Sequence, residues 1–272
     1  MKLFISVDME GISGLANWQE AEISKHMEGD LLAAIEGALE AGVEYILVAD
    51  SHGRGMNIRP EILPDNVDLY RGYPRPFYMV EGLTSDFDLA FFIGYHAPAG
   101  FYTGQMDHTF STTLYRVTVN GEEFGEAELN GLFAGSHGVP VGLITGDRAL
   151  FEFSRNKFPE TTEFVVTKEG VSKYSAKLYP VRRVREEIRE KAKIVASKAS
   201  ELKIFSREKQ EEGYTVEIEL VDTLSADFAS LMPGMERLSG RKLKYRAKSA
   251  DEILKLINSV SILSSASRFM NH

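Results

Sequence analysis

The chain has 272 residues, of which 43% are hydrophobic and 26% charged, with a formal net charge of -9 and no cysteine. That length and balance fit a globular protein of one large domain or two smaller ones. The acidic balance and the lack of a basic, aromatic-interleaved cluster exclude nucleic acid as the main partner. The lack of cysteine excludes disulfides, thiolate metal sites and a cysteine nucleophile.

In chain order, Leu3-Phe4-Ile5 is a short apolar run that predicts a buried strand. The first residues are too short for a signal peptide, and no apolar run approaches the roughly 20 residues of a membrane span. A cytoplasmic protein with no membrane partner is expected. The strand ends in Ser6-Val7-Asp8-Met9-Glu10-Gly11. Alternation along an extended chain would send Asp8 and Glu10 to the same side. Two acids buried side by side repel and need a cation or a shared proton. A loop, Ile12 to Ser24, leads into a predicted helix over about Lys25 to Ala41, with Leu31, Leu32, Ile35 and Leu39 at helical spacing and Gly42 as its stop. Tyr45 to Ala49 is a second buried strand and ends at Asp50-Ser51-His52-Gly53. Strand, helix and strand in this order predict a right-handed βαβ unit and a parallel sheet.

Arg54 to Glu81 is proline-rich and irregular, with an extended piece at Val67-Leu69. A third strand, Leu89 to Ile93, ends at Gly94-Tyr95-His96-Ala97, and the loop Pro98 to Phe110 holds His108. Thr112 to Val119 alternates like a strand, and Asn120-Gly121 is a hairpin turn signal. Glu126 to His137 is helical, Val141 to Ile144 is a strand, Thr145-Gly146-Asp147 caps the next helix, and Glu163 to Thr167 closes the sheet. The composition shifts near Pro180. A long charged helix (Val181 to Phe205), a strand (Tyr214 to Val221), a short helix, a strand or hairpin (Arg237 to Arg246) and a final helix (Ala250 to Ser264) follow. The predicted fold class is α/β: a mostly parallel sheet flanked by helices over residues 1–180, then a smaller α+β domain over 181–272.

Of six histidines, His52, His96 and His108 fall at strand ends or the adjoining loop; His26, His137 and His272 are read as incidental. In open α/β sheets the C-terminal strand ends face the ligand crevice, and that edge here collects Asp8, Glu10, Asp50, His52 and His96. Nitrogen and carboxylate ligands without sulfur suit Zn²⁺, Mn²⁺ or Co²⁺. Two ions fit better than one, because Asp8 has two oxygens and can bridge ions about 3.5–4 Å apart. A further carboxylate is then needed, and Glu126 and Glu128 are the candidates, although both also suit a helix N-terminus electrostatically. Two other readings stay open on these residues. One is a two-metal phosphoesterase using Arg54 or Arg59 for phosphate; the other is a non-catalytic α/β scaffold.

The Ser6-x-Asp8-x-Glu10-Gly11 stretch resembles the signature of the D-aminopeptidases of the dipeptide-transport operon type. The resemblance continues through Asp50-Ser51-His52, Gly94-Tyr95-His96-Ala97, Met106-x-His108, Gly125-Glu126-x-x-Leu129-Asn130, and also Met79 to Leu83 and Leu231 to Gly234. It implies a binuclear zinc aminopeptidase acting on short, D-amino-acid-containing peptides. Asp8 would bridge the ions, Glu10 and His96 would complete one site, and His52 and Glu126 the other. It selects Glu126 over Glu128, makes His108 the catalytic histidine, and implies a homodecamer. The C-terminal segment would serve subunit contact and the site entrance.

Overall fold

The computed structural model describes residues 1–269; His272 lies outside the described residues. The chain runs β1 (Lys2–Val7), α1 (Ile23–Glu40), β2 (Tyr45–Asp50), β3 (Val67–Tyr70), β4 (Leu89–Tyr95), β5 (Leu114–Val119), β6 (Glu122–Glu123) and α2 (Glu126–Ser136). It continues through β7 (Val141–Asp147), α3 (Arg148–Ser154), β8 (Glu163–Ser172), β9 (Ser175–Leu178) and α4 (Val181–Ser197). The last elements are β10 (Tyr214–Leu220), α5 (Thr223–Ala229), β11 (Glu236–Arg237), β12 (Lys242–Ala247) and α6 (Ala250–Ser265).

The first sheet has the order β3-β2-β1-β4-β7-β8-β9. Its strands pair in parallel except for β9, which runs antiparallel to β8. Both faces are covered, as a parallel sheet requires. Successive residues of β1 serve opposite faces. Leu3, Ile5 and Val7 pack with Leu31 and Ile35 of α1 and Val184 and Ile188 of α4. Phe4 packs into the other core, with Leu129 and Phe133 of α2. That second core also takes Val216 and Ile218 of β10 and Ile253 and Ile257 of α6.

The α/β class with its mostly parallel sheet is as expected. The second sheet, β11-β12-β10-β5-β6, is antiparallel. The two sheets do not part at residue 180. β5 and β6 precede that point and join β10, whereas α4 follows it and packs on α1. The Asn120-Gly121 signal does form the β5–β6 hairpin, with both residues at positive φ.

The helix expected to reach Phe205 ends at Ser197. Phe205 is used elsewhere: its ring stacks on Phe158 at 4.3 Å, and its carbonyl abuts α2 at Gly135, where any Cβ would lie 1.9 Å from the oxygen.

Candidate metal centre

The polar ends of β1, β2 and β4 meet at one edge of the first sheet because these strands are neighbours. β1 lies in the middle. Its chain leaves the sheet after Val7 and turns, with Ile12 N–H donating to the Met9 carbonyl at 3.3 Å. This turn, rather than strand alternation, brings Asp8 and Glu10 together. It presses on the end of β4: Asp8 N–H donates to Ile93 O and Gly11 N–H to Gly94 O, both at 2.8 Å. A Cβ on Gly11 would stand 1.7 Å from the Tyr95 carbonyl oxygen, and one on Gly94 2.3 Å from that of Asp8. Only glycine permits this approach.

From behind, buried Lys168 donates to the carbonyls of Glu10 (2.5 Å) and Leu15 (2.6 Å), and Thr167 donates to that of Gly11 at 2.6 Å. Burial lowers the Lys168 pKa to about 8. Beneath the turn, the Ser6 hydroxyl bonds to Ser51 and to the Tyr95 hydroxyl, each at 2.7 Å, and Asn130 donates to Tyr95 at 2.9 Å. Ser6 therefore ties the three strands and α2 together below the acids.

The structure brings Asp8, Glu10, His52, His96, His108 and Glu126 into one cluster, in which Asp8, Glu10, His96 and Glu126 are buried. His52 Nδ1 lies 3.3 Å from Asp8 Oδ1 and 3.0 Å from Glu10 Oε2. His96 Nε2 lies 3.5 Å from Asp8 Oδ2 and 3.5 Å from Glu126 Oε1. The two oxygens of Asp8 thus face two different histidines. These short contacts pair Glu10 with His52 and Glu126 with His96, which exchanges the assignment expected from the resemblance. The sheet order is the reason: β2, carrying His52, and β4, carrying His96, flank β1 on opposite sides.

His96 tests whether a metal fits. Its Nδ1–H donates to the Ala97 carbonyl at 2.9 Å, which makes Nε2 the atom turned to the cluster. That buried Nε2 has no hydrogen-bond partner. At 3.5 Å from two carboxylate oxygens it is too far for a good hydrogen bond. Two ligands about 2.0–2.2 Å from one ion at a tetrahedral angle stand about 3.3–3.6 Å apart. The His96 spacings match this, so His96 with Asp8 and Glu126 fits an ion, and His52 with Asp8 and Glu10 offers the same donor types at 3.3 and 3.0 Å.

His108 stacks on His96, ring centroids 4.3 Å apart. Its Nδ1–H donates to the Met106 carbonyl at 2.9 Å, which turns Nε2 to the cluster, 3.8 Å from Glu10 and 3.7 Å from Glu126. The loop bearing it is held by Gln105, whose N–H donates to Asp147 and whose side chain donates to the Ala16 and Lys173 carbonyls. Met106 and Phe110 both adopt positive φ, a cost that the surrounding anchors sustain.

Other residues of the expected edge have different work. Asp50 accepts from Asn57 and Ile58 and shapes the loop after His52. Glu128 accepts from Gly125 N–H at 2.9 Å and Ser154 Oγ at 2.5 Å, which leaves Glu126 as the carboxylate facing the cluster. Arg59 is held by Glu28. His137 faces Asp251, and neither it nor His26 joins the cluster. Gln105 and Lys168 were missed in the sequence, since nothing local marks them.

Burial, then the neighbouring Glu10, pushes the Asp8 pKa up to about 8. Burial opposes charge on His52 and His96, yet the facing carboxylates override it, raising them to about 11 and about 10. In metal-free protein these groups hold protons where ions would sit. Each binds its proton more tightly folded than unfolded. Their stabilisation is whole below the ordinary values of 3.8 for Asp8 and 6.5 for the histidines, and is lost as pH rises towards about 8 and about 10–11. Metal binding must displace the same protons and strengthens as pH rises. The drop in Tm caused by a chelator is therefore expected to widen between about pH 6 and about pH 9. Thermal scans with and without EDTA measure it; a gap independent of pH would contradict this reading.

The D-aminopeptidase family model matches residues 1–259. The D-aminopeptidase of Bacillus subtilis (strain 168) is 32% identical over 257 residues, covering 91% of this chain and 92% of that protein. The solved structure of the Zn-dependent D-aminopeptidase DppA from Bacillus subtilis, a self-compartmentalizing protease, superposes with a TM-score of 0.90 at 29% identity, over 97% of this chain and 98% of that one.

Proposed function

The chain belongs to the D-aminopeptidase family, and on this ground we propose that it is a metal-dependent aminopeptidase with two zinc ions per subunit. It removes amino-terminal residues from short peptides, with preference for D-amino acids. The observation that carries the reading is Asp8, whose two oxygens face His52 and His96 separately within a buried set of three carboxylates. Asp8 would bridge the ions, Glu10 and His52 would hold one, and His96 and Glu126 the other. Mn²⁺ and Co²⁺ suit the same donors.

When bound, the ions supply Lewis-acid polarisation of the scissile carbonyl and a lowered pKa for water. The chain's own residues do the rest. His108 Nε2 faces the cluster and is placed to take a proton from the attacking water and to return one to the leaving amine. The Glu10 and Glu126 carboxylates stand 3.8 and 3.7 Å from it. Acid–base action of this kind needs no covalent step at His108.

Of the two arginines of the phosphoesterase reading, Arg59 is bound to Glu28, and the family match favours the peptidase. We take the protein to be a homo-oligomer, decameric as the family implies, since its structural relative is self-compartmentalizing. No helix among the described residues is long and apolar enough to cross a membrane, and the cytoplasm is the proposed location.

The test is amino-acid release from D-Ala-D-Ala and L-Ala-L-Ala by zinc-loaded and chelated protein side by side. Release by the zinc-loaded sample alone, faster from the D-dipeptide, is expected. Equal release after chelation would overturn the metal-dependent reading.

A further inference from the structure

The turn that carries His52 also carries a cation, Arg54, two residues further on. Gly55 N–H and Asn57 Nδ2 donate to the His52 carbonyl at 2.9 and 2.8 Å, and the Tyr78 hydroxyl donates to the Gly53 carbonyl at 2.8 Å. Gly53 and Gly55 both adopt positive φ, which lets the chain reverse tightly around Arg54. Arg54 lines a cavity of about 650 Å³, a size usual for small-molecule sites. The cavity has apolar walls from Tyr73, Tyr78, Phe110 and Ile262.

Phe110 joins this cavity to the catalytic residues. Its N–H donates to Glu126 at 2.6 Å, it lies two residues after His108, and its ring stands 6.0 Å from that of Tyr78. Among the described residues, Arg54 is the only charged one lining the cavity. Arg75, beside it, is spent on the carbonyls of Asp50 and Tyr70.

A substrate cut at its amino-terminal residue must put the next residue beyond the scissile bond. In a dipeptide that residue ends in a free carboxylate. A guanidinium offers a planar fork to such a carboxylate. Resting on the aminopeptidase reading above, we propose that the cavity receives the residue after the scissile bond and that Arg54 binds its free carboxylate. The enzyme is then selective for dipeptides with an apolar second residue.

The test compares alanyl-leucine, in the configuration the enzyme prefers, with its C-terminal amide. The proteins are zinc-loaded wild type, R54Q and R54K. Wild type is expected to favour the free acid by about 10- to 100-fold in kcat/KM, chiefly through KM. R54Q should bring that ratio close to one, and R54K should keep part of it. Equal rates on acid and amide in wild type, or a ratio undiminished in R54Q, would overturn the assignment. If R54Q does not fold, wild type and R54K still decide. Hydrolysis of the amide by wild type with no preference for the acid would sink the Arg54 proposal and spare the aminopeptidase reading. Hydrolysis of neither peptide would sink both.

Discussion

Asp8→Asn is expected to lose both ions and to lower kcat/KM by more than about 10³-fold. Asparagine keeps the shape of the side chain but offers one neutral oxygen in place of two charged ones. Even a partner outside the direct ligands is worth about 10- to 100-fold in metal affinity or activity, and Asp8 would serve two ions at once. Metal analysis of the purified variant checks the loss of ions, and the dipeptide assay checks the rate. Stability separates this effect from simple unfolding. Without metal, Asp8 is buried between Glu10 and Glu126 and holds a proton up to about pH 8. A neutral amide resembles that protonated acid and removes a source of repulsion. Metal-free Asp8→Asn should therefore melt no lower than metal-free wild type at about pH 8 or above. A variant that keeps both ions and its activity would refute the bridging role.

His108→Ala is expected to retain its metals and lower kcat by about 10²- to 10⁴-fold, the usual contribution of a positioned acid or base. The ring stacks on His96, donates to the Met106 carbonyl and is partly exposed. The two halves of its proposed role can be told apart by the leaving group. A p-nitroanilide leaves with little need for a proton. If His108 serves mainly as the acid, the deficit should shrink on that substrate; if it serves mainly as the base, the deficit should stay. Near wild-type kcat in the metal-loaded variant would remove His108 from the chemistry.

Much of the fold was legible because it is written in apolar runs. Leu3 to Ile5, Tyr45 to Ala49 and Leu89 to Ile93 are strands that could be little else, and the polar residues after each mark the edge of the sheet that binds ligands. The members of the cluster could be gathered in this way, and the resemblance chose Glu126 over Glu128. Their pairing could not. It depends on β1 lying between β2 and β4, and sheet order is not a property of any one stretch. The hydrogen bonds of Glu128 to Gly125 and Ser154 explain physically why its neighbour faces the cluster.

Other features were hidden for the same reason. β5, hairpinned to β6, pairs with β10 about a hundred residues later in the chain, so no boundary near Pro180 could describe the sheets. Lys168 reads as an ordinary strand lysine, and only the packed fold shows it buried against the Glu10 and Leu15 carbonyls. Arg54 drew notice beside His52 as a phosphate ligand. The structure places it in the aromatic-walled cavity proposed above to take a substrate carboxylate.

The central claim is a pair of ions bridged by Asp8 and required for peptide hydrolysis. The most direct measurement titrates metal-free protein with zinc while following both bound metal and release from D-Ala-D-Ala. Two ions bound per chain, with activity reaching its plateau only as the second site fills, is the expected result. Full activity at one ion per chain, or activity with none, would contradict the account.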